Sequence, residues 1–517
     1  MYNQGPFADW VPKPVMLLLI LIFICPILAI SGVYSNNILD VTRGLATYTE
    51  YILLANNATT IGMGIAIIIV LRIKTRFRSK EIITASTIAL AFLSYTIGAT
   101  DNPLVVVIGS FFIGFFKMFP MIEMILPLMF IITPKGERGK FYAIFYTLSI
   151  CITQLTAYLM ANLISNSNWQ APYYIMSILM LIIASLSLIF QHNQRFSFKV
   201  PLYQLDWVAL VLLSISAMSF NIGFTFMRQQ GWFSSPYIVG FLLIGFILFI
   251  YVMYKQKFVK RKLINFNKII KKVNVWHSII LLMLMGIYLA SSSIFTNYTV
   301  GVLGYNSLIT AKLNLWQIPG IILAGVYAFY SFKYNWKLKY YIASGFIAYF
   351  IHTFMLYLSI QPQMNIEYLY IPMIMKGAGV GILFIGIWFY GSNYLELYDL
   401  FGILGILLII RTFIATASAG ALISWATYQG QWQSLNDMSS YLDIGAFPNG
   451  IRFYKTSQIS AILASSKIVL GSLCWLIVPI LIFVLTHHYG QFNYRRVILF
   501  KKIIRGNSIK GYKYASK

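Results

Sequence analysis

Apolar runs of about 20 residues recur along the whole chain, and they limit what it can fold into. Helices of that length cross the hydrocarbon core of a membrane, whereas a transmembrane barrel shows short alternating segments. Only 10% of the 517 residues are charged, against about 25% in soluble proteins. The sequence therefore predicts an all-α polytopic membrane protein with about fourteen transmembrane helices. The predicted spans are 14–33, 51–71, 81–99, 103–132, 141–164, 171–190, 206–227, 236–254, 277–300, 310–331, 340–359, 367–390, 401–426 and 466–486.

The basic residues orient these spans. Most of the 39 Lys and Arg residues fall before the first span, in alternate loops and in the C-terminal tail. By the positive-inside rule those regions are cytoplasmic, so we expect a multi-pass protein of the cell (inner) membrane with both termini in the cytoplasm. The predicted cytoplasmic loop after the second span carries Arg72, Lys74, Arg76 and Arg78. Topology and contact with anionic lipid account for the net charge of +26 without nucleic acid as a partner.

The sequence shows no pattern that is typical of a catalytic or metal site. Cys25, Cys151 and Cys474 all lie inside apolar runs and have no disulfide or metal spacing. The chain has no phosphate-binding Gly-Lys-Ser/Thr loop, no zinc-type His/Glu spacing and no Gly-x-Ser-x-Gly nucleophile motif. We therefore predict a protein that is not an enzyme and needs no cofactor or metal. An integral-membrane enzyme and a channel or sensor are the rival classes.

The spans fall into groups of six, two and six. Residues 1–200 hold six, 201–270 hold two inserted spans and a basic cytoplasmic linker, 271–490 hold six more, and 491–517 form a basic tail. Two sets of six with a site between them is the architecture of a secondary transporter. We expect a monomer in the lipid bilayer that moves a small-molecule substrate by alternating access. The longest outward loop, about 427–465, is interpreted as a connector.

Several short motifs resemble one family. Gln-Leu-Asp-Trp at 204–207 and Arg-Gln-Gln-Gly-Trp-Phe-Ser-Ser-Pro at 228–236 are similar to the inserted seventh and eighth spans of the fourteen-span drug:proton antiporter family, part of the major facilitator superfamily. Lys-Gly-Ala-Gly-Val-Gly at 376–381 resembles the start of its span 12, Arg411 with the small residues after it resembles its span 13, and Asn-Trp-Gln at 168–170 resembles its turn before span 6. The resemblance implies the major facilitator fold, efflux of a small amphipathic or drug-like molecule, and proton antiport. It leaves a periplasmic adaptor open as a partner.

The chain also departs from that family at named positions. Ser110 stands where the family has an arginine in span 4, and 150–159 has no Gly or Pro where the antiporter signature of span 5 should fall. The acidic residue often present in span 1 has no counterpart at 30–32. The alternative function is a uniporter or importer of a small solute, which could be anionic, without proton coupling.

Ionisable groups inside spans are candidates for function, because each costs about 2.5–3.5 kcal/mol on insertion scales. Lys117, Lys376 and Arg411 are such cations, and with the polar Asn56 and Gln154 they are the candidates for lining a substrate cavity.

Glu123 is the only acidic residue that the sequence places deep in a span. A proton gradient could load and unload such a carboxylate, so Glu123 is the first candidate for proton coupling and His352 is the second. Lys117 and Arg411 could bind an anionic group or hold Glu123 ionised. The alternative is that Glu123 is locked in a structural pair with a cation.

Overall fold

The chain is built of helices almost throughout. One isolated antiparallel bridge joins Phe7 to Gln191. The predicted basic tail, 491–517, lies outside the described residues. The computed structural model describes residues 7–8, 10–33, 38–133, 137–193, 203, 205–259, 262–264, 266, 272–392, 397–442 and 450–487.

We number the α-helices of these ranges in chain order. A 3₁₀ turn follows α1, and π-helical segments at Asn297–Val302 and Arg411–Ala417 follow α11 and α16. The helices are α1 (Lys13–Ala29), α2 (Ile38–Gly44), α3 (Thr49–Arg76), α4 (Ser79–Ala99), α5 (Pro103–Ile132), α6 (Arg138–Asn166), α7 (Ala171–Phe190), α8 (Trp207–Phe226), α9 (Pro236–Phe258), α10 (Val273–Ala290), α11 (Ser292–Thr296), α12 (Ser307–Leu315), α13 (Gln317–Lys333), α14 (Leu338–Ser359), α15 (Tyr370–Ser392), α16 (Leu397–Ile410), α17 (Ser418–Leu442) and α18 (Gly450–Thr486).

The number of spans agrees with the sequence. In the part of the chain that is described, 13 helical segments are long and apolar enough to cross a membrane, and the shorter apolar helix Pro14–Ala29 accompanies them. Some of these segments join two helices through a kink or a π-helix, as from α10 to Val302. The predicted all-α polytopic fold is confirmed, while the boundaries of its six, two and six groups stay a prediction.

Local sequence signals set where several helices begin. The side-chain oxygens of Asn102, Asp206 and Asn306 each accept a hydrogen bond from a backbone N–H in the first turn of α5, α8 and α12, at 2.9–3.0 Å. Pro103 and Pro236 begin α5 and α9, where their missing N–H costs nothing because the first turn has no intrahelical partner for it. These signals lie between the apolar runs and so place the ends of the spans.

The basic loop predicted after the second span is shorter than the sequence suggested. Because α3 continues to Arg76, Arg72 and Lys74 are helical, and of the four predicted loop cations only Arg78 lies between helices. The helix continues because its last cations have partners inside the protein. Arg72 Nη2 donates to the carbonyl oxygen of Lys262 at 2.7 Å, and Lys74 enters a buried ion pair.

The prediction of a loop over 427–465 is wrong for the described part of that segment. α17 continues to Leu442 and α18 begins at Gly450. With 37 residues, α18 is about 55 Å long, whereas the hydrocarbon core is about 30 Å thick. Gly430 of α17 and Ser465 of α18 pack closely, so the two helices contact each other within the segment that the sequence assigned to a loop.

Helices α1–α7 are here called the first half and helices α10–α18 the second half, and glycines mark two of the close contacts between them. In the first, α3 packs on α16, where a Cβ added at Gly405 would lie 2.6 Å from the carbonyl oxygen of Gly64. In the second, α6 packs on α13, and Gly325 faces Thr147. Small residues let membrane helices approach this closely. The space that remains between the halves is a cavity.

Polar contacts hold the inserted pair, α8 and α9. Asp206 Oδ1 accepts a hydrogen bond from Lys255 Nζ at 2.8 Å. Burial raises the pKa of the Asp206 carboxyl, but the hydrogen bonds from Lys255 and from the Ala209 amide outweigh it, so this pKa lies below its ordinary value. Further along α8, Asn221 Oδ1 accepts from Asn57 Nδ2 of α3 at 3.0 Å. The inserted pair is therefore attached to the first half by α8.

Candidate functional site

The cavity between the two halves has a volume of about 600 Å³. Helices α1, α3, α5 and α6 line it from the first half, and α10–α13, α15, α16 and the start of the second π-helix line it from the second. Sites for small molecules in proteins have volumes of about 300–1,000 Å³. The cavity is therefore large enough for a small organic molecule, and residues of both halves could bind that molecule.

Four cations line this cavity, and no carboxylate belongs to the described residues that line it. Lys117 of α5 and Arg138 of α6 come from the first half, and Lys376 of α15 and Arg411 come from the second. Lys117 and Lys376 are only 2% and 6% exposed. Buried cationic groups without carboxylates beside them favour anions in a cavity, so this lining favours an anion over a cation.

Lys117 reaches from α5 to the end of α1. Its Nζ donates to Ser31 Oγ at 2.6 Å and to the carbonyl oxygen of Leu28 at 3.2 Å. Both partners are neutral, so they fix the ammonium group without cancelling its charge. A buried charge without a counter-charge is costly, and a bound anion would remove that cost.

The two cations of the second half lie over aromatic rings. Arg411 Cζ is 4.6 Å from the centre of the Phe384 ring, and Lys376 Nζ is 6.0 Å from the centre of the Phe295 ring. A guanidinium that stacks on a ring keeps the edge of its planar fork free, and that edge fits a carboxylate or phosphate with two hydrogen bonds. Arg411 is also the first residue of its π-helix, a feature frequent at functional sites.

Aromatic side chains of both halves meet in one wall of the cavity. The Tyr146 ring of α6 is 5.1 Å from the Phe384 ring and 6.2 Å from the Trp388 ring of α15, between centres. Trp388 is 3% exposed, and its Nε1 has no hydrogen-bond partner among the residues described. One turn beyond Trp388, the Ser392 carbonyl accepts from Arg138 Nη1 at 3.4 Å. The wall therefore offers aromatic faces and an unused N–H donor next to a cation.

The structure brings together every residue that the sequence predicted for a substrate cavity. Their role in binding stays a prediction. The sequence analysis missed Arg138, because it lies between the predicted spans 103–132 and 141–164 and not inside one. It also missed the aromatic wall, because Tyr, Phe and Trp make up 17% of the chain and do not stand out. The predicted residues that line the cavity are Asn56, Lys117, Gln154, Lys376 and Arg411.

Glu123 does not line the cavity. Its Oε2 accepts hydrogen bonds from Lys74 Nζ at 2.9 Å and from Ser79 Oγ at 2.8 Å, and its side chain is 2% exposed. This ion-pair cluster joins α5 to the end of α3 and the start of α4. Lys74, and not Lys117 or Arg411, is the cation beside Glu123, because α3 continues past the predicted end of its span. Proton coupling through Glu123 stays a prediction.

His352 also lies away from the cavity lining. It is 1% exposed, and its Nδ1 is 2.7 Å from the carbonyl oxygen of Pro372, which joins α14 to α15. Since a carbonyl oxygen only accepts, Nδ1 carries a proton in this contact. The contact gives His352 a packing role, and its part in proton coupling stays a prediction.

Comparisons with known proteins find likeness in structure and not in sequence. No family model matches the chain, and no curated protein matches it. The solved structure of the peptide transporter POT in complex with sulfate is 13% identical, with a TM-score of 0.56, and the match covers 93% of this chain and 96% of that one. The nucleoside transporter NupG is 12% identical, with a TM-score of 0.52 and coverage of 89% and 99%. The human organic anion transporter MFSD10 is 10% identical, with a TM-score of 0.51 and coverage of 90% and 100%.

These likenesses extend over nearly the whole length of both chains, and they show the fold. The protein is a polytopic helical membrane protein with the major facilitator fold. At identities of 10–13% they do not reach the level of family, so the resemblance to the fourteen-span drug:proton antiporters stays a prediction.

Proposed function

We propose that this protein is a secondary transporter that carries a small anion through the cavity between its halves. The observation that carries the proposal is the set of four cations, Lys117, Arg138, Lys376 and Arg411, in a lining that includes no carboxylate among the described residues. Such a lining repels cations, and a bound anion would compensate the buried charge of Lys117, whose hydrogen-bond partners are neutral.

The position of the site fits alternating access. In transporters built from two halves, the substrate lies near the middle of the membrane and the halves rock around it. Lys117 is the fifteenth residue of α5, about 21 Å from the start of that helix, and Arg411 follows the 14-residue α16. A substrate held by both would bridge the halves at mid-membrane. The glycine contacts between α3 and α16 and between α6 and α13 provide closely packed surfaces about which the halves can move.

The proposal takes up the alternative that the sequence left open, an anionic solute, in preference to a cationic or neutral drug. Two structural neighbours support it by what they bind or carry: the peptide transporter POT is in complex with sulfate, and human MFSD10 is an organic anion transporter. The family resemblance implies efflux, and the alternative is import. The direction of net flux in oriented vesicles distinguishes the two.

Proton coupling is not needed for this proposal. We infer that Glu123 is held in its cluster with Lys74 and Ser79 and stabilises the packing of α3, α4 and α5. The charge of the substrate would then be met by the cavity cations alone. The pH-gradient coupling that the sequence suggested for Glu123 and His352 is tested separately in the Discussion.

A matched pair of probes tests the sign of the charge that the cavity selects. Hexanesulfonate and hexyltrimethylammonium have the same alkyl chain and opposite permanent charges. A ligand that binds only the folded state raises the melting temperature, so we expect hexanesulfonate to raise that of the purified protein and hexyltrimethylammonium to leave it unchanged. Lys376→Gln should lose the effect and the exposed Lys337→Gln should keep it. Equal stabilisation by both probes would contradict the proposal.

A further inference from the structure

The aromatic wall contains a hydrogen-bond donor, the Trp388 indole N–H, for which the described residues provide no acceptor. Trp388 is 3% exposed and lines the cavity, yet its Nε1 has no hydrogen-bond partner within the described ranges. Buried indole N–H groups usually have a partner, because leaving one unpaired costs free energy. An indole N–H only donates, so the missing partner is an acceptor atom.

The rings around Trp388 form a surface for a flat ligand. The Phe384 and Trp388 ring centres are 5.7 Å apart, and the Tyr146 ring contacts both from the other half of the protein. All three residues line the cavity. Aromatic pairs at such distances contribute about 0.5–1.5 kcal/mol beyond the burial of their area, so a fourth ring would be held more firmly here than a saturated ring of the same size.

The anion-binding group lies on the same wall. Arg411 stacks on Phe384 with its Cζ 4.6 Å from the ring centre, so one residue, Phe384, borders both the guanidinium and the aromatic cluster. A molecule with its acidic group at Arg411 would bring an attached ring next to Phe384 and Trp388.

We propose that the anion is an aromatic acid: its carboxylate, sulfonate or phosphate pairs with Arg411, its ring packs against the cluster of Tyr146, Phe384 and Trp388, and an acceptor atom on the ring accepts from Trp388 Nε1. This inference rests on the proposed transport of anions and adds the chemical class of the substrate. Because Tyr146 and Trp388 belong to opposite halves, the ring of the substrate contacts both and contributes to holding them together.

Three bicyclic acids of similar size test the proposal. The probes are 2-naphthoate, its fully saturated analogue decahydronaphthalene-2-carboxylate, and quinoline-6-carboxylate, which adds a ring nitrogen as acceptor. Dissociation constants come from calorimetric titration of the full-length protein in lipid nanodiscs. We expect 2-naphthoate to bind at least about fivefold tighter than the saturated acid, within the range of a single aromatic pair. We expect quinoline-6-carboxylate to bind tighter again.

Three variants assign the preferences to residues. Tyr146→Leu should bring the affinities of 2-naphthoate and the saturated acid together, while Tyr146→Phe should keep them apart. Trp388→Phe keeps a ring and removes the N–H, so it should abolish only the advantage of quinoline-6-carboxylate over 2-naphthoate.

The outcomes separate this inference from the proposed function. If the saturated acid binds as tightly as 2-naphthoate, the aromatic class is wrong and anion binding stands. If Trp388→Phe leaves the quinoline advantage intact, the role of Nε1 is overturned. If none of the three acids binds, or if the neutral 2-naphthalenemethanol binds as tightly as 2-naphthoate, both the aromatic class of the substrate and the proposed transport of anions are contradicted.

Discussion

Replacing Glu123 with Gln separates a structural ion pair from a proton carrier. Glu123 and Lys74 form a buried pair at 2.9 Å, with side chains 2% and 8% exposed. Gln keeps the size of the side chain and can still accept from Ser79, but it removes the carboxylate charge that pairs with the Lys74 ammonium. Removing one partner of a buried pair costs about 3–5 kcal/mol. Because the hydrogen bond from Ser79 can persist, we expect a loss near the lower end, about 3 kcal/mol.

The measurement is the free energy of unfolding of the purified protein in mixed micelles, from denaturation by sodium dodecyl sulfate followed by tryptophan fluorescence. The double variant Lys74→Met with Glu123→Gln removes both charges and should recover most of the loss, because the cost of the single variant comes from the one buried charge that it leaves behind. The control is Glu81→Gln. Glu81 pairs with Arg78 at 3.6 Å and is 41% exposed, so its loss should be below about 1 kcal/mol.

Transport assays test independently whether Glu123 is a structural residue or a proton carrier. If Glu123 is structural, variants that remain folded transport substrate with unchanged dependence on the pH gradient. The reasoning is refuted if Glu123→Gln unfolds like the unaltered protein while transport loses its response to a pH gradient. Glu123 would then be the proton carrier that the sequence suggested.

Three further predictions follow from named contacts. Lys117→Met should raise the melting temperature of the ligand-free protein, because it removes a buried charge that has only neutral partners, and should weaken binding of hexanesulfonate; a lower melting temperature would show that the charge is compensated. Asp206→Asn should lower stability by about 1 kcal/mol at neutral pH relative to the exposed Asp101→Asn. The pKa of Asp206 is depressed in the folded protein, so its contribution to stability is present above about pH 4 and is lost as the pH falls below that value. The melting temperatures of Asp206→Asn and Asp101→Asn should therefore approach each other in scans run towards pH 3. Gly325→Val should abolish transport more than binding, because a side chain facing Thr147 pushes α13 from α6; equal loss of both in flux and titration assays would place the defect in folding.

Much of the fold could be predicted because apolar length and basic loops report directly on the membrane. A run such as 171–190 is both long enough to span and free of charge, and the structure has α7 at those same residues. Helix ends were predicted less well. Arg72 and Lys74 look like loop residues in the sequence, and only the tertiary contacts that neutralise or bind them explain why α3 continues through them.

The candidate site was predicted in part for a related reason. Lys117, Lys376 and Arg411 stand out because a charge inside an apolar run is rare, and the structure places all three on one cavity. Trp388 and Tyr146 could not be singled out, since a chain so rich in aromatic residues gives them no contrast. The ion-pair partner of Glu123 could not be predicted from the sequence either, because Lys74 is separated from it by 49 residues and no local spacing relates them.

Uptake of hexanesulfonate by proteoliposomes tests the central claim most directly. The account predicts saturable uptake in vesicles that contain the unaltered protein, none in vesicles without protein, and at least about a tenfold loss in Arg411→Gln, since a charge-assisted contact is worth about 1.5–3 kcal/mol. The exposed Arg228→Gln, an equal change of charge outside the cavity, should transport normally. Uptake no greater than in empty vesicles, or equal uptake by Arg411→Gln and the unaltered protein, would contradict transport of anions through this cavity.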